Sequence, residues 1–370
     1  MRARRKWGIG VAILSLLTLS VAGCGGSSEG ASGKKTQISV LGWEGYADPS
    51  FIKDFEAKYN VEVSATYAGS TDEIIAKMKG GGGSVYDLII ASSDVAKALN
   101  DSNLLDSINL EHISNYKDIA EPLKQVNTKK ADGSLYGIPM AWGPNTLIYD
   151  ADVLKEEPTS WSVLWDPQYK GKVAVWDEIS TLYISAQKDG IGSLDSAKPD
   201  ELYSMTPEQL QKVKADMLAL KPNIRKYWAT GGELNDLYAN KEIVISNGWP
   251  LTTHTLQKMG RNIKETIPKE GTSGWIDLLM ITKDSPNKEM AEKLLDFLIS
   301  PETLKKFNDV TNYYVSNPQA AKFMDADQMK RNMLDNPDTY NQMMKKINFW
   351  QFVPDRNRYN EVWNEVKAGQ

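Results

Sequence analysis

The stretch Gln37-Ile38-Ser39-Val40-Leu41-Gly42-Trp43-Glu44-Gly45-Tyr46 starts as a short apolar run and breaks at a glycine into a loop holding two large rings and an acid. An amphipathic segment follows at Ser50 to Tyr59, an apolar run at Val61 to Tyr67, a second amphipathic segment at Thr71 to Met78, and another apolar run at Leu88 to Ala91. Short strands alternating with helices predict an α/β fold, a sheet covered by helices. In the first helix Phe51, Phe55 and Tyr59 recur at every fourth residue, so one apolar stripe faces the sheet.

The alternation resumes near Asn145. Thr146 to Tyr149 and Val173 to Trp176 read as strands, and Pro207 to Leu220 as a helix with Thr206 as its cap and Pro207 in its first turn. Ile243 to Ser246 and Leu278 to Ile281 read as further strands, and Asn287 to Ile299 as a helix that stops at Ser300-Pro301. No repeat of fixed period is visible. The roughly 335 residues beyond the leader exceed one ordinary core, so two lobes are expected.

Arg2, Arg4, Arg5 and Lys6 precede an uncharged run from Trp7 to Gly23. Basic, apolar and small-residue regions in that order mark residues 1–23 as a secretory signal peptide, and the run is shorter than the roughly 20 residues a membrane-spanning helix needs. Cys24, the only cysteine, follows Val21-Ala22-Gly23 in what looks like a bacterial lipobox, so it is expected to carry the lipid that anchors the chain to the membrane. Two or three acyl chains suffice for stable anchoring. Residues 24–36, rich in Gly and Ser, are expected to form a flexible tether. A single cysteine excludes an intrachain disulfide and a thiolate metal cluster. The formal net charge is −5, and the leader holds four of the positive charges, so the chain without it stands at −9. That disfavours nucleic acid as a partner and is compatible with a cationic ligand.

Two histidines, His112 and His254, lie far apart and lack a helical partner, so no histidine metal centre is expected. Gly80 to Gly83 lacks the pattern of a phosphate-cradling loop, and no nucleophile elbow, zinc-protease helix or dinucleotide fingerprint occurs. No cofactor is expected. Carboxylates are plentiful, which leaves a secreted hydrolase with a carboxylate pair as the competing class, although no spacing marks two as partners. More informative are the rings beside turn residues: Trp43 and Tyr46, then Trp142 with Gly143-Pro144, then Gly274-Trp275-Ile276-Asp277 ahead of a late strand. Open α/β sheets bind ligands at strand ends. Aromatic faces attract ammonium groups and carboxylates accept their N–H donors, so these loops suit an organic cation. Trp275 and Asp277 are two apart and share a face in extended backbone.

Several stretches resemble the bacterial extracellular solute-binding protein family, in particular its spermidine/putrescine-binding members that serve ABC transporters. They are Leu41 to Tyr46, Tyr86 to Ser93, Tyr136 to Gly143, Ser160 to Gly171, Pro268 to Gly271, Gly274 to Asp277 and Lys367 to Gly369. The resemblance implies a non-enzymatic, periplasmic-binding-protein-like fold of two lobes, each a sheet flanked by helices, with the ligand in the cleft between them. Lobe one would comprise residues 37–142 plus 278–325, and lobe two 145–276 plus 326–370. It also implies a monomer that hands its solute to ABC permease subunits. Carried over by position, Trp43, Tyr46, Ser92, Trp275, Asp277 and Gln351 would contact the ligand. Asp94, Thr181 and Ser246 depart from the family pattern, with an acid gained at the first and an acid and a ring lost at the others. Glu178 and Trp249 are expected to compensate for the lost acid and ring. The ligand implied is a polyamine, with another small cationic solute open. The adjacent Tyr313-Tyr314 raises ferric ion as a further alternative, with packing or a hinge role preferred for the pair.

Overall fold

The computed structural model describes residues 35–369 apart from 127, 194 and 195. The signal peptide, Cys24 and the tether up to residue 34 lie outside the described residues. The strands are β1 (Thr36–Gly42), β2 (Val61–Tyr67), β3 (Leu88–Ser92), β4 (Ile138–Pro144), β5 (Thr146–Asp150), β6 (Val173–Trp176), β7 (Ile224–Trp228), β8 (Ile245–Gly248), β9 (Ile263–Thr266), β10 (Thr272–Ile281), β11 (Tyr314–Val315) and β12 (Ile347–Phe349).

They form two sheets. The first runs β11-β4-β10-β3-β1-β2, with β12 beside the start of β10, and the second runs β7-β6-β8-β5-β9. β1 lies parallel to both β2 and β3, whereas β10 runs antiparallel to β3 and β4. In the second sheet β6 is parallel to β7 and β8. Strands β3, β4, β5 and β10 are buried along their whole length, as near-continuous apolar runs covered on both faces should be. Gly42 is required by packing, because a Cβ there would lie 2.8 Å from Ile90 Cβ.

Helices cover the sheets where periodicity places them. Pro49–Tyr59 buries Phe51, Ile52 and Phe55 and ends at Asn60 in the left-handed conformation. Pro207–Leu220 starts at a capping box in which Thr206 and Gln209 satisfy each other's backbone N–H, which confirms the expected start. Beyond the expected stop at Ser300-Pro301, a further helix, Pro301–Thr311, uses that proline in its first turn. No helix among the described residues is long and apolar enough to cross a membrane.

The chain passes from the first sheet to the second through Asn145 alone, between β4 and β5. Asn145 is fully buried, donates its N–H to Ser273 O at 2.9 Å and accepts from Thr272 Oγ1 at 2.5 Å, so the two crossing segments are tied together. Residues 272–276, expected in the second lobe, belong to β10 and pair within the first sheet. β10 is longer than the apolar run Leu278 to Ile281 because β12 and β4 satisfy the backbone of its polar first half. Residues 347–349 likewise lie in the first sheet, and the chain reaches the second lobe with the helix Arg356–Ala368, which packs on Pro207–Leu220.

Candidate ligand-binding site

Both sheets present the C-terminal ends of their parallel strands to one cavity of about 310 Å³, near the lower end of ordinary small-ligand pockets. From the first sheet come Trp43, Glu44 and Tyr46 after β1, Ser92 at the end of β3, and Trp275 and Asp277 on β10. From the second come Trp176 at the end of β6, Thr230 after β7, and Trp249 after β8. Tyr67, Glu73, Tyr313 and Trp350 complete the charged and aromatic lining. The lining holds eight aromatic residues, three carboxylates and, among the described residues, no Lys, Arg or His.

Asp277 is the electrostatic centre. It is register partner to Ser92 on β3 and to Ala141 on β4, and a bulge follows it where β4 skips a residue. Trp43 Nε1 donates to Oδ1 at 3.0 Å, Ser92 Oγ donates to the same oxygen at 3.1 Å, and the Tyr46 hydroxyl donates to Oδ2. All three donors are neutral, and no ion pair reaches Asp277 among the described residues. The residue is 3% exposed, and burial pushes its carboxyl up to about 7 against the pull of those hydrogen bonds.

The rings form two groups. Trp275 packs edge-on against Tyr313 at 4.5 Å, and Tyr46 tilts against the same ring at 6.2 Å. Across the cavity Trp176 stacks on Trp228 and on Trp350, both at 5.9 Å, and meets the edge of Trp249 at 4.8 Å.

The expected contacts divide accordingly. Trp43, Tyr46, Ser92, Trp249, Trp275 and Asp277 meet in the cavity, whereas Asp94 and Glu178 do not line it and instead grip Arg356 at 2.9 Å each. Gln351 is exposed and donates to Asp200 at 2.6 Å. Ser246 accepts from Trp228 Nε1 at 3.1 Å, and Thr181 turns its hydroxyl to Trp176 O at 2.7 Å. Trp142, one of the three ring loops, is buried in the core and stacks on Tyr314 at 4.4 Å. Tyr313 faces the cavity while its neighbour Tyr314 faces Trp142, so the two phenols do not converge. Among the described residues no group of three His, Cys, Asp or Glu is placed to hold a metal.

Sequence reasoning missed Glu44, Tyr67, Glu73, Trp176 and Trp350 as wall residues. Trp176 carried the available signal, a large ring at the last position of a short parallel strand.

Two α/β sheets that turn their strand ends on one ring-lined cavity define a two-lobed solute-binding protein. The chain belongs to the bacterial extracellular solute-binding proteins, whose family model matches residues 50–335. It is a transport protein and not an enzyme. The chain is 24% identical over 357 residues to the spermidine/putrescine-binding periplasmic protein of Salmonella typhimurium, covering 96% of this chain and 98% of that one. It is also 24% identical to a putrescine/agmatine-binding protein of Pseudomonas aeruginosa, over 97% of this chain and 99% of the relative. The crystal structure of the spermidine/putrescine ABC transporter substrate-binding protein of Streptococcus pneumoniae superposes with a TM-score of 0.71 at 21% identity, over 90% of this chain and 99% of that one.

Proposed function

We propose that this chain is the substrate-binding lipoprotein of an ABC importer, which captures a polyamine-like organic cation between its lobes and hands it to membrane permease subunits. The observation that carries the reading is the cavity wall: eight rings and three carboxylates around a buried Asp277, with no basic residue in the wall and no countercharge on Asp277 among the described residues. An ammonium supplies that charge, and the rings shed water from the attached methylenes. The names of the relatives point to the same ligand class.

The remaining features follow from this role. The protein works outside the cytoplasmic membrane as a monomer, held by lipid on Cys24, with the Gly- and Ser-rich residues ahead of β1 as its tether. Lobe one is drawn from residues 37–142 plus 278–325, extended by the strands of the first sheet at 272–277 and 347–349. Lobe two is drawn from 145–271 and the terminal helix. Closure of the lobes about Asn145 buries the ligand.

Titration calorimetry of the full chain with putrescine, spermidine and other linear amines tests the reading, with small-angle scattering to follow closure. Binding with compaction is expected. At a hundredfold excess over the dissociation constant, the ligand adds about 2.7 kcal/mol of stability. Failure of every amine to bind overturns the proposal.

A further inference from the structure

A second group of acids adjoins the cavity, but its three carboxylates are already held by one guanidinium of the chain. Asp72 and Asp94, on the helices Thr71–Lys79 and Ser93–Asp101, and Glu178, two residues beyond β6, converge on Arg356. Arg356 Nε meets Asp72 at 2.6 Å, Nη1 meets Asp94 at 2.9 Å and Nη2 meets Glu178 at 2.9 Å. Thr71 Oγ1 closes the group by donating to Glu178 at 2.8 Å. Asp94 and Glu178 are 7% and 4% exposed, so these pairs are largely dry. Asp94 lies two residues past Ser92 and Glu178 two past Trp176, both of which line the cavity.

The wall therefore keeps a single buried carboxylate, Asp277. Of the other two acids, Glu44 is exposed, and Glu73 accepts from Gly69 N at 2.8 Å and pairs with Lys77 at 3.3 Å. The second-lobe face, with Trp176, Thr230, Trp249 and Leu251, carries no charged residue. The Glu44 carboxylate reaches this face, 4.0 Å from where a Cβ on Gly231 would sit, but Glu44 is exposed, so a second ammonium there would gain ring faces and a solvated acid, an attraction weaker than the desolvation it has to offset. An uncharged end loses nothing comparable there.

We propose that the cavity is a one-anchor site: its ligand is a primary amine with one ammonium on Asp277 and an uncharged far end against Trp176 and Trp249. Arg356 contributes by holding Asp94 and Glu178 away from the cavity, which leaves Asp277 as its one buried carboxylate outside an ion pair among the described residues. The inference rests on the amine reading above and narrows it.

Calorimetry of the full chain with putrescine and with N-acetylputrescine, the same diamine with one end made neutral, tests it. N-acetylputrescine is expected to bind as tightly as putrescine or tighter, with at most a threefold loss. A loss beyond threefold shows a second anionic anchor and overturns the one-anchor site while the amine reading stands. If neither compound binds at millimolar concentration, both fall. A second arm uses Asp94→Asn, with folding checked by circular dichroism. Affinity for N-acetylputrescine within threefold of the native chain supports the assignment, and a greater loss in the folded variant places Asp94 on the ligand and overturns it.

Discussion

Trp275 and Gly143 are register partners across β10 and β4, and the indole lies over the glycine so closely that a Cβ at 143 would come within 2.7 Å of Trp275 Cζ2. The missing side chain lets the ring settle beside Tyr313 and next to Asp277. Gly143→Ala is expected to displace the ring and weaken amine binding about tenfold, or about 1.4 kcal/mol. Fluorescence titration measures this, and native affinity in the variant would show that the ring's seat is unimportant.

Asp277→Asn preserves shape and removes the charge. Loss of one partner of a buried, hydrogen-bonded charge pair costs about 2–5 kcal/mol, so amine affinity is expected to fall roughly 30-fold or more. The ligand-free variant should melt at or above the native temperature at pH 8, because a buried carboxylate without a countercharge is gone. Calorimetric titration and a thermal scan read the two effects separately. Unchanged affinity removes Asp277 from the ligand.

The raised carboxyl of Asp277, at about 7, also makes binding depend on pH. The native chain holds this proton more tightly than the unfolded chain, whose aspartates titrate near 3.9, so its contribution to ligand-free stability falls as pH rises from about 4 to about 7. An ammonium needs the ionised form. Amine affinity and the ligand-induced rise in melting temperature should therefore both be greater at pH 8 than at pH 6, and a flat profile would contradict an ammonium on Asp277.

Arg356→Met leaves Asp94 and Glu178 buried without their partner. Breaking a buried ion pair from one side costs about 3–5 kcal/mol, so a drop in melting temperature of at least about 5 °C is expected by scanning calorimetry. Asp94 is already pushed up to about 6 by burial, with Arg356 pulling the other way, and it should take up a proton near neutral pH once the guanidinium is gone. An unchanged melting temperature would show that the cluster does not stabilise the fold in solution.

Cys24→Ser should release the chain from the membrane fraction, since the only thiol follows Val21-Ala22-Gly23. Cell fractionation with N-terminal analysis checks this. Undiminished membrane association, or a mature terminus elsewhere, removes the lipid anchor.

The sequence alone determined whatever depends on local geometry. The capped start of Pro207–Leu220, the stripe of Phe51 and Phe55, and the shared face of Trp275 and Asp277 all follow from helix and strand periods, which act over a few residues. The choice among residues with the same local pattern was tertiary. Trp142 and Trp275 both follow or precede a glycine on a predicted strand end, yet Trp142 is roofed by Tyr314 and Trp275 faces the cavity. Asp94 and Glu178 read as ligand acids until Arg356, 262 and 178 residues away, pairs with both. Trp176 and Trp350 come together from distant segments to make one wall. Burial and charge pairing are sums over neighbours brought in by the whole fold, and no local spacing encodes which acid meets an internal cation and which one is left for a ligand.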